Sequence, residues 1–94
     1  MSPFIFLQSN LKTRCLYFVP CININGHSYD CKIDIKQDVI IVYYDNGKIF
    51  SCYLFDVTCI NDCMFYCISY DVSLKRFVYA TLIIPDFEHD DDLD

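Results

Sequence analysis

Cys59, Cys63 and Cys67 recur at four-residue spacing, and thiols are the groups of this chain best suited to chemistry. Thiolates bind zinc and act as nucleophiles, so the pattern has two conceivable uses. Tetrahedral zinc takes Cys and His ligands, usually in close pairs set on turns. Here the spacing is regular rather than paired, and only His27 and His89 could add imidazole. On a strand, neighbouring cysteines of the three would stand about 13 Å apart at ~3.3 Å per residue, too far for one ion. A helical turn within residues 58–69 would instead stack them on one face. A cysteine nucleophile also needs a base to lower its pKa and a third group to orient that base. His27 falls beside a hairpin turn and His89 in an acidic run, neither with an evident orienter. The three cysteines therefore read as packing residues. No catalytic residue, cofactor or metal is expected, and the chain reads as a non-enzyme.

The carboxylates are the next candidates. Residues 86–94, DFEHDDDLD, hold six acids and no Lys or Arg, whereas residues 1–85 hold seven acids and all seven Lys and Arg. The whole net charge of −6 thus belongs to the last nine residues. Calcium would suit such oxygens, but a loop site needs a defined ligand order and a turn glycine, and neither is present. A like-charge run of this density repels itself and stays solvated, so 86–94 reads as a flexible acidic tail on a β domain of residues 1–85. Asp90, Asp91 and Asp92 could still imitate a phosphate backbone and occupy a basic groove on a partner. The tail opposes phosphate itself. With only Lys12, Arg14, Lys75 and Arg76 in small basic clusters, direct nucleic-acid binding is not expected.

A third set is aromatic. Tyr43, Tyr44, Phe50, Tyr53 and Phe55 gather on one predicted hairpin, and aromatics are over-used at binding hot spots. Apolar residues make up 54% of a 94-residue chain. A chain so short buries only about 60–65% of its unfolded surface, so part of this apolar content must meet a partner. A homodimer or a partner surface is expected on that hairpin.

Elements that would position these groups follow from turn chemistry and period-two alternation. The composition has eight Tyr, eight Phe, two Gly and a single Ala, which favours strands over helices. Asn25-Gly26 and Asn46-Gly47 both carry the type I′ preference. A two-residue loop at the first pairs Ile24 with His27, Asn23 with Ser28 and Ile22 with Tyr29. That puts Ile22, Ile24, His27, Tyr29, Cys31, Ile33 and Ile35 on one face. Asn23, Ser28, Asp30, Lys32, Asp34 and Lys36 fall on the other. The same loop at the second pairs Asp45 with Lys48, Tyr44 with Ile49, Tyr43 with Phe50 and Ile41 with Cys52. There the strand 39–44 is apolar on both faces, as a doubly covered strand or an interface strand would be. Residues 63–70 and 76–84 give a further pair ended by Pro85, and 14–19 and 3–8 two more strands. The sum is an all-β fold: a small antiparallel β-sandwich or barrel of about seven short strands.

No stretch reaches the ~20 apolar residues of a spanning helix. PFIFL is too short for a signal sequence and Lys12 and Arg14 follow it, so a reducing compartment and free thiols are expected. An odd count of seven cysteines argues the same way.

The short chain, its wealth of Ile, Tyr, Phe and Cys, its MSPFIFLQSN opening and its FEHDDDLD ending resemble the small accessory proteins of coronaviruses. It looks most like the non-structural accessory protein that deltacoronaviruses encode between the membrane and nucleocapsid genes. The resemblance implies a non-enzymatic protein of the infected cell that binds host innate-immunity proteins and antagonises interferon signalling. It also implies a place in the host cytoplasm, with peripheral association to endoplasmic reticulum or Golgi membranes, or in the virion. The alternative is a lipid- or membrane-associated virion assembly protein with an apolar cavity.

Overall fold

The computed structural model describes residues 3–87. Helix α1 (Pro3–Tyr17) leads into β1 (Cys21–Ile24), β2 (His27–Lys36), β3 (Val39–Tyr44) and β4 (Lys48–Tyr53). A 3₁₀ turn (Leu54–Asp56) follows, then β5 (Thr58–Cys59), β6 (Met64–Asp71) and β7 (Arg76–Ile83). The strands form one antiparallel sheet in the order β4-β3-β2-β1-β7-β6-β5, curled into a half-barrel. The fold is all-β in class, as composition and alternation require. Its seven strands are, however, not all those expected.

Residues 3–8 and 14–19 are not strands. They belong to α1, and the reason is a helical repeat: Leu7, Leu11 and Cys15 recur at four-residue steps, and together with Arg14 they line the face that meets the core. Pro3 opens the helix where a missing N–H costs nothing. Gln8 Nε2 donates to the Gln37 carbonyl at 2.7 Å, tying the helix to the β2–β3 turn. Residues 58–69 take no helical turn; β5 and β6 occupy that stretch.

The first hairpin has the expected register, Ile24↔His27 to Ile22↔Tyr29. Asn25 and Gly26 both have positive φ, 53° and 79°, as a type I′ turn demands. The second hairpin corrects the sequence reading by one residue. Its loop is Asp45-Asn46-Gly47, all three at positive φ, and Tyr44 pairs with Lys48, Val42 with Phe50 and Ile40 with Cys52. Asp and Asn tolerate the left-handed region well enough to lengthen the loop. A one-residue slip flips one strand's side chains relative to the other. Ile40, Val42, Phe50 and Cys52 therefore share the buried face.

Inward positions of every long strand build one core: Ile22, Cys31, Ile35, Ile40, Val42, Phe50, Phe65, Cys67, Ala80 and Leu82, closed at one end by Leu11, Leu54 and Ile84. Arg14 is the one buried charged side chain among the described residues. Its Nη1 donates to the carbonyls of Asp62 at 2.6 Å and Ile84 at 3.4 Å, and its Nη2 lies 3.3 Å from the Asp86 carboxylate. The guanidinium carbon sits 5.7 Å from the centre of the Phe65 ring. Removing a buried partner leaves the opposing groups desolvated and unpaired. Arg14→Ala is therefore expected to lower unfolding stability by about 3 kcal/mol. Arg14→Lys, which keeps the charge but not the fork, should lose less. Urea denaturation followed by far-UV circular dichroism checks both values.

Candidate functional site

The outer face of the half-barrel is divided by residue type. Over β1 and β2 it is polar: Asn23, Ser28, Asp30, Lys32, Asp34 and Lys36 point out, as the alternation requires. Asn23 Nδ2 donates to Ser28 Oγ at 3.1 Å, and Lys36 lies 3.6 Å from Asp34. Over β6 and β7 it is apolar. Phe65 and Cys67 face in, so Tyr66, Ile68 and Tyr70 face out, opposite Thr81, Tyr79 and Phe77. Tyr66 and Tyr79 stack at 5.8 Å, and Tyr70 and Phe77 meet edge to face at 5.1 Å. Their residues remain 39% to 55% exposed, so the rings satisfy one another only in part.

The expected aromatic cluster on β3–β4 splits between the two faces. Phe50 is in the core, and Tyr44 turns inward against Tyr29, with ring centres 5.3 Å apart. Tyr43 and Tyr53 face out beside Ile41, Ile49 and Ser51. Tyr53 stacks on Phe55 with ring centres 5.1 Å apart and planes 10° from parallel. Tyr66, Ile68, Tyr70, Phe77 and Tyr79 were not singled out from the sequence, although CMFYCISY and RFVYATLII show the same two-faced apolar pattern as VIIVYY. Asp90, Asp91, Asp92 and His89 lie outside the described residues. Asp86, the first residue of the acidic run, pairs with Arg14. Phe87 packs edge to face on Tyr17 and Phe18 at 5.4 and 5.2 Å.

The curl brings the two apolar zones together. β4 ends the sheet on one side, and β5 covers β6 only at Phe65 and Tyr66. Hence β4 and the Cys67–Asp71 part of β6 are strand edges without a neighbour in the sheet among the described residues, and they lie side by side. The pairings make their directions antiparallel. At one point the buried thiols of Cys52 and Cys67 neighbour one another across the seam, and the Cys67 thiol donates to the Phe65 carbonyl at 3.8 Å. A cleft of about 460 Å³ follows the seam, with Val39, Ser51 and Tyr53 on one bank and Ile68, Tyr70 and Phe77 on the other, beside Asp56. A second, of about 300 Å³, continues between Ile49–Ser51 and Ser69–Val72 and reaches the inward residues Ile24, Tyr44, Phe50 and Val78. The apolar half of the surface is thus centred on an open seam.

Thiol chemistry finds little support in this geometry. Burial, then the neighbouring Cys21, Cys15 and Asp30, pushes the Cys31 thiol up to about 12. The hydrogen bond with Cys52, then burial, drives Cys67 well above the ordinary thiol range. Burial raises Cys15 as well, against the pull of Arg14. A protonated thiol is a poor nucleophile and a poor metal ligand. Cys59 is exposed on β5, Cys63 half-buried in the following loop, and Cys67 buried in β6, so the three do not share a face. No three His, Cys, Asp or Glu side chains among the described residues are grouped to hold an ion. His27 is exposed at its hairpin tip. No helix among the described residues is long and apolar enough to cross a membrane.

Comparison with protein-family models, with curated proteins and with solved structures finds no match to this chain.

In the native protein, iodoacetamide at neutral pH is expected to modify Cys59 first and to leave Cys31, Cys52 and Cys67 unmodified until denaturant is added. Peptide mapping by mass spectrometry reads the order. Because Cys31 stays protonated up to about 12, raising the pH to 9 should not bring it into the fast class.

Proposed function

We propose that this chain is a non-enzymatic interaction protein: a homodimer whose apolar surface binds host proteins and, as its resemblance to coronavirus accessory proteins implies, antagonises interferon induction. The single observation that supports the reading best is the half-exposed aromatic row Tyr66, Tyr70, Phe77 and Tyr79 on β6–β7. Rings stacked on a sheet face, away from the charged strip of β2, are costly to leave in water. They are also the residue types that interface hot spots use. Tyr43, Tyr53 and Phe55 extend the same surface across the seam. The thiol environments, which hold Cys15, Cys31 and Cys67 protonated, fit a binding role better than a catalytic one.

The test pairs an assembly measurement with a cellular one. Sedimentation velocity is expected to give a dimer for the full chain, and co-expression with an interferon-promoter reporter to give suppression. Tyr66→Ser with Tyr79→Ser, both on the outer face and away from the core, should leave the circular dichroism unchanged. That double variant should also relieve reporter suppression at least severalfold. A monomeric wild-type protein, or full suppression by the double variant, would overturn the reading.

A further inference from the structure

We infer that the exposed apolar end of α1, beside which the acidic run begins, is a docking site for a basic segment of another protein that carries apolar anchors. This deepens the interaction reading by giving the partner's chemistry, and rests on it for the premise that the partner is a protein. No residue of the Tyr66–Tyr79 row takes part.

Exposure carries the first part of the inference. Leu16, Tyr17 and Val19 are 80%, 69% and 66% exposed, three of the four most exposed large apolar residues described. Apolar residues scattered singly over a surface need no explanation. These fall within four positions, on the last turn of α1 and the exit from it. The helical repeat accounts for their exposure. Leu7, Leu11, Arg14 and Cys15 hold the core face, and each further residue turns about 100° from the one before it. Phe87, 42% exposed, packs on Tyr17 and Phe18 and enlarges the platform. Leu16 also borders a cleft of about 510 Å³ between α1 and β2, lined on the strand side by Ile33 and Ile35. Aromatic and aliphatic side chains beside a cleft are what binding hot spots are built from.

Charge then selects the occupant. Asp86 is held by Arg14 and Phe87 by the two rings, so the acidic run starts at the platform. The next seven residues, EHDDDLD, carry Glu88, Asp90, Asp91, Asp92 and Asp94 and no Lys or Arg. Seven residues reach ~25 Å at most, so these carboxylates are tethered beside the platform. The nearby bases do not cancel them. Lys12 shares its cleft with Asp34, and Lys32, which lines a cleft with Val19, shares that one with Asp30 and Asp45. A second copy would bring the same carboxylates to the same place, and nucleic acid or an anionic bilayer would be repelled alike. Leu93 is the one apolar residue of EHDDDLD, so laying the run over the rings would strip water from carboxylates for little gain. A segment with apolar anchors and Lys or Arg meets both features: the anchors cover Leu16 and the rings, and the cations meet the run.

The probe is a synthetic peptide with leucine on one helical face and lysine on the other, capped at both ends, added to the full-length protein. Amide shifts by NMR are expected to centre on 16–19 and Phe87. Leu16→Ser with Tyr17→Ser, both exposed, should weaken binding about tenfold and leave the circular dichroism unchanged. Asp90→Asn, Asp91→Asn and Asp92→Asn together should weaken it severalfold and flatten its salt dependence. A peptide with serine for leucine should bind at least about tenfold more weakly, and one with glutamate for lysine should not bind. Shifts centred elsewhere, equal binding of the serine or glutamate peptide, or no effect of either variant would each overturn the inference. So would tighter binding by the triple Asp variant, the sign of a run that covers the platform itself. A wild-type dimer that the Leu16/Tyr17 pair makes monomeric would overturn it as well, by seating a second copy there. Any of these, beside a Tyr66/Tyr79 variant that relieves reporter suppression, leaves the interaction reading in place. Peptide binding as expected, beside a Tyr66/Tyr79 variant without cellular effect, would remove that reading and keep the docking chemistry.

Discussion

Arg14 is the side chain on which the closed end of this half-barrel depends. It gathers four segments far apart in sequence: the helix that carries it, the loop before β6 through the Asp62 carbonyl, the end of β7 through Ile84, and Asp86 beyond it. A guanidinium suits the place because it presents several donors in a fixed plane, one edge to carbonyls and one to a carboxylate, with a face left for Phe65. Without it, the buried Ile84 carbonyl at the end of β7 would lose a donor. Its Nε is buried and has no partner among the described residues, a cost the other contacts must exceed.

Seven short strands and one helix then settle for a barrel that does not close. The helix and Arg14 cap one end, and the curl carries β4 round to β6, where a thiol pair touches in place of a ladder. β2 is the hinge of this arrangement. It is ten residues long and pairs with β1 at one end and β3 at the other. Its strict alternation holds one face in the core and the other in water. The strands furthest from β2 have no such outward polarity, so the apolar exterior and the unpaired edges fall in the same place. An unclosed seam in a polar exterior could be satisfied by water alone. Here the seam lies beside the half-exposed rings of Tyr53, Tyr70 and Phe77.

The legibility of the chain follows the same division. The Asn25-Gly26 hairpin and both faces of β2 could be read directly, because one face is buried and the other charged, and any slip would bury a charge. The β3–β4 register could not, because VIIVYY is apolar on both faces and either register hides as much carbon. Loop conformation decided it instead, with Asp45 joining Asn46 and Gly47 at positive φ. The helix was hidden by composition. Phe, Ile, Tyr and Cys favour strands, and only the Leu7–Leu11–Cys15 step and the position of Pro3 marked it. Of the site, the aromatic content was visible, but which rings face out depended on the register just described. The seam was invisible, since strands distant in sequence form it through curvature that no local pattern encodes.

Charge links the two ends of the argument. Residues 1–85 balance to zero, but Arg14 is committed to Asp86, so the exposed body is left with one base fewer than its acids and is itself slightly negative. The acids beyond Asp86 add to that field, and fields of one sign raise the encounter rate of oppositely charged partners while repelling copies of the same chain. The clefts of the seam are lined by Asp56 and Asp71, with Lys48 opening β4 and Arg76 paired with Asp71 in the ladder. Steering by the whole molecule fades within about 8 Å at physiological salt.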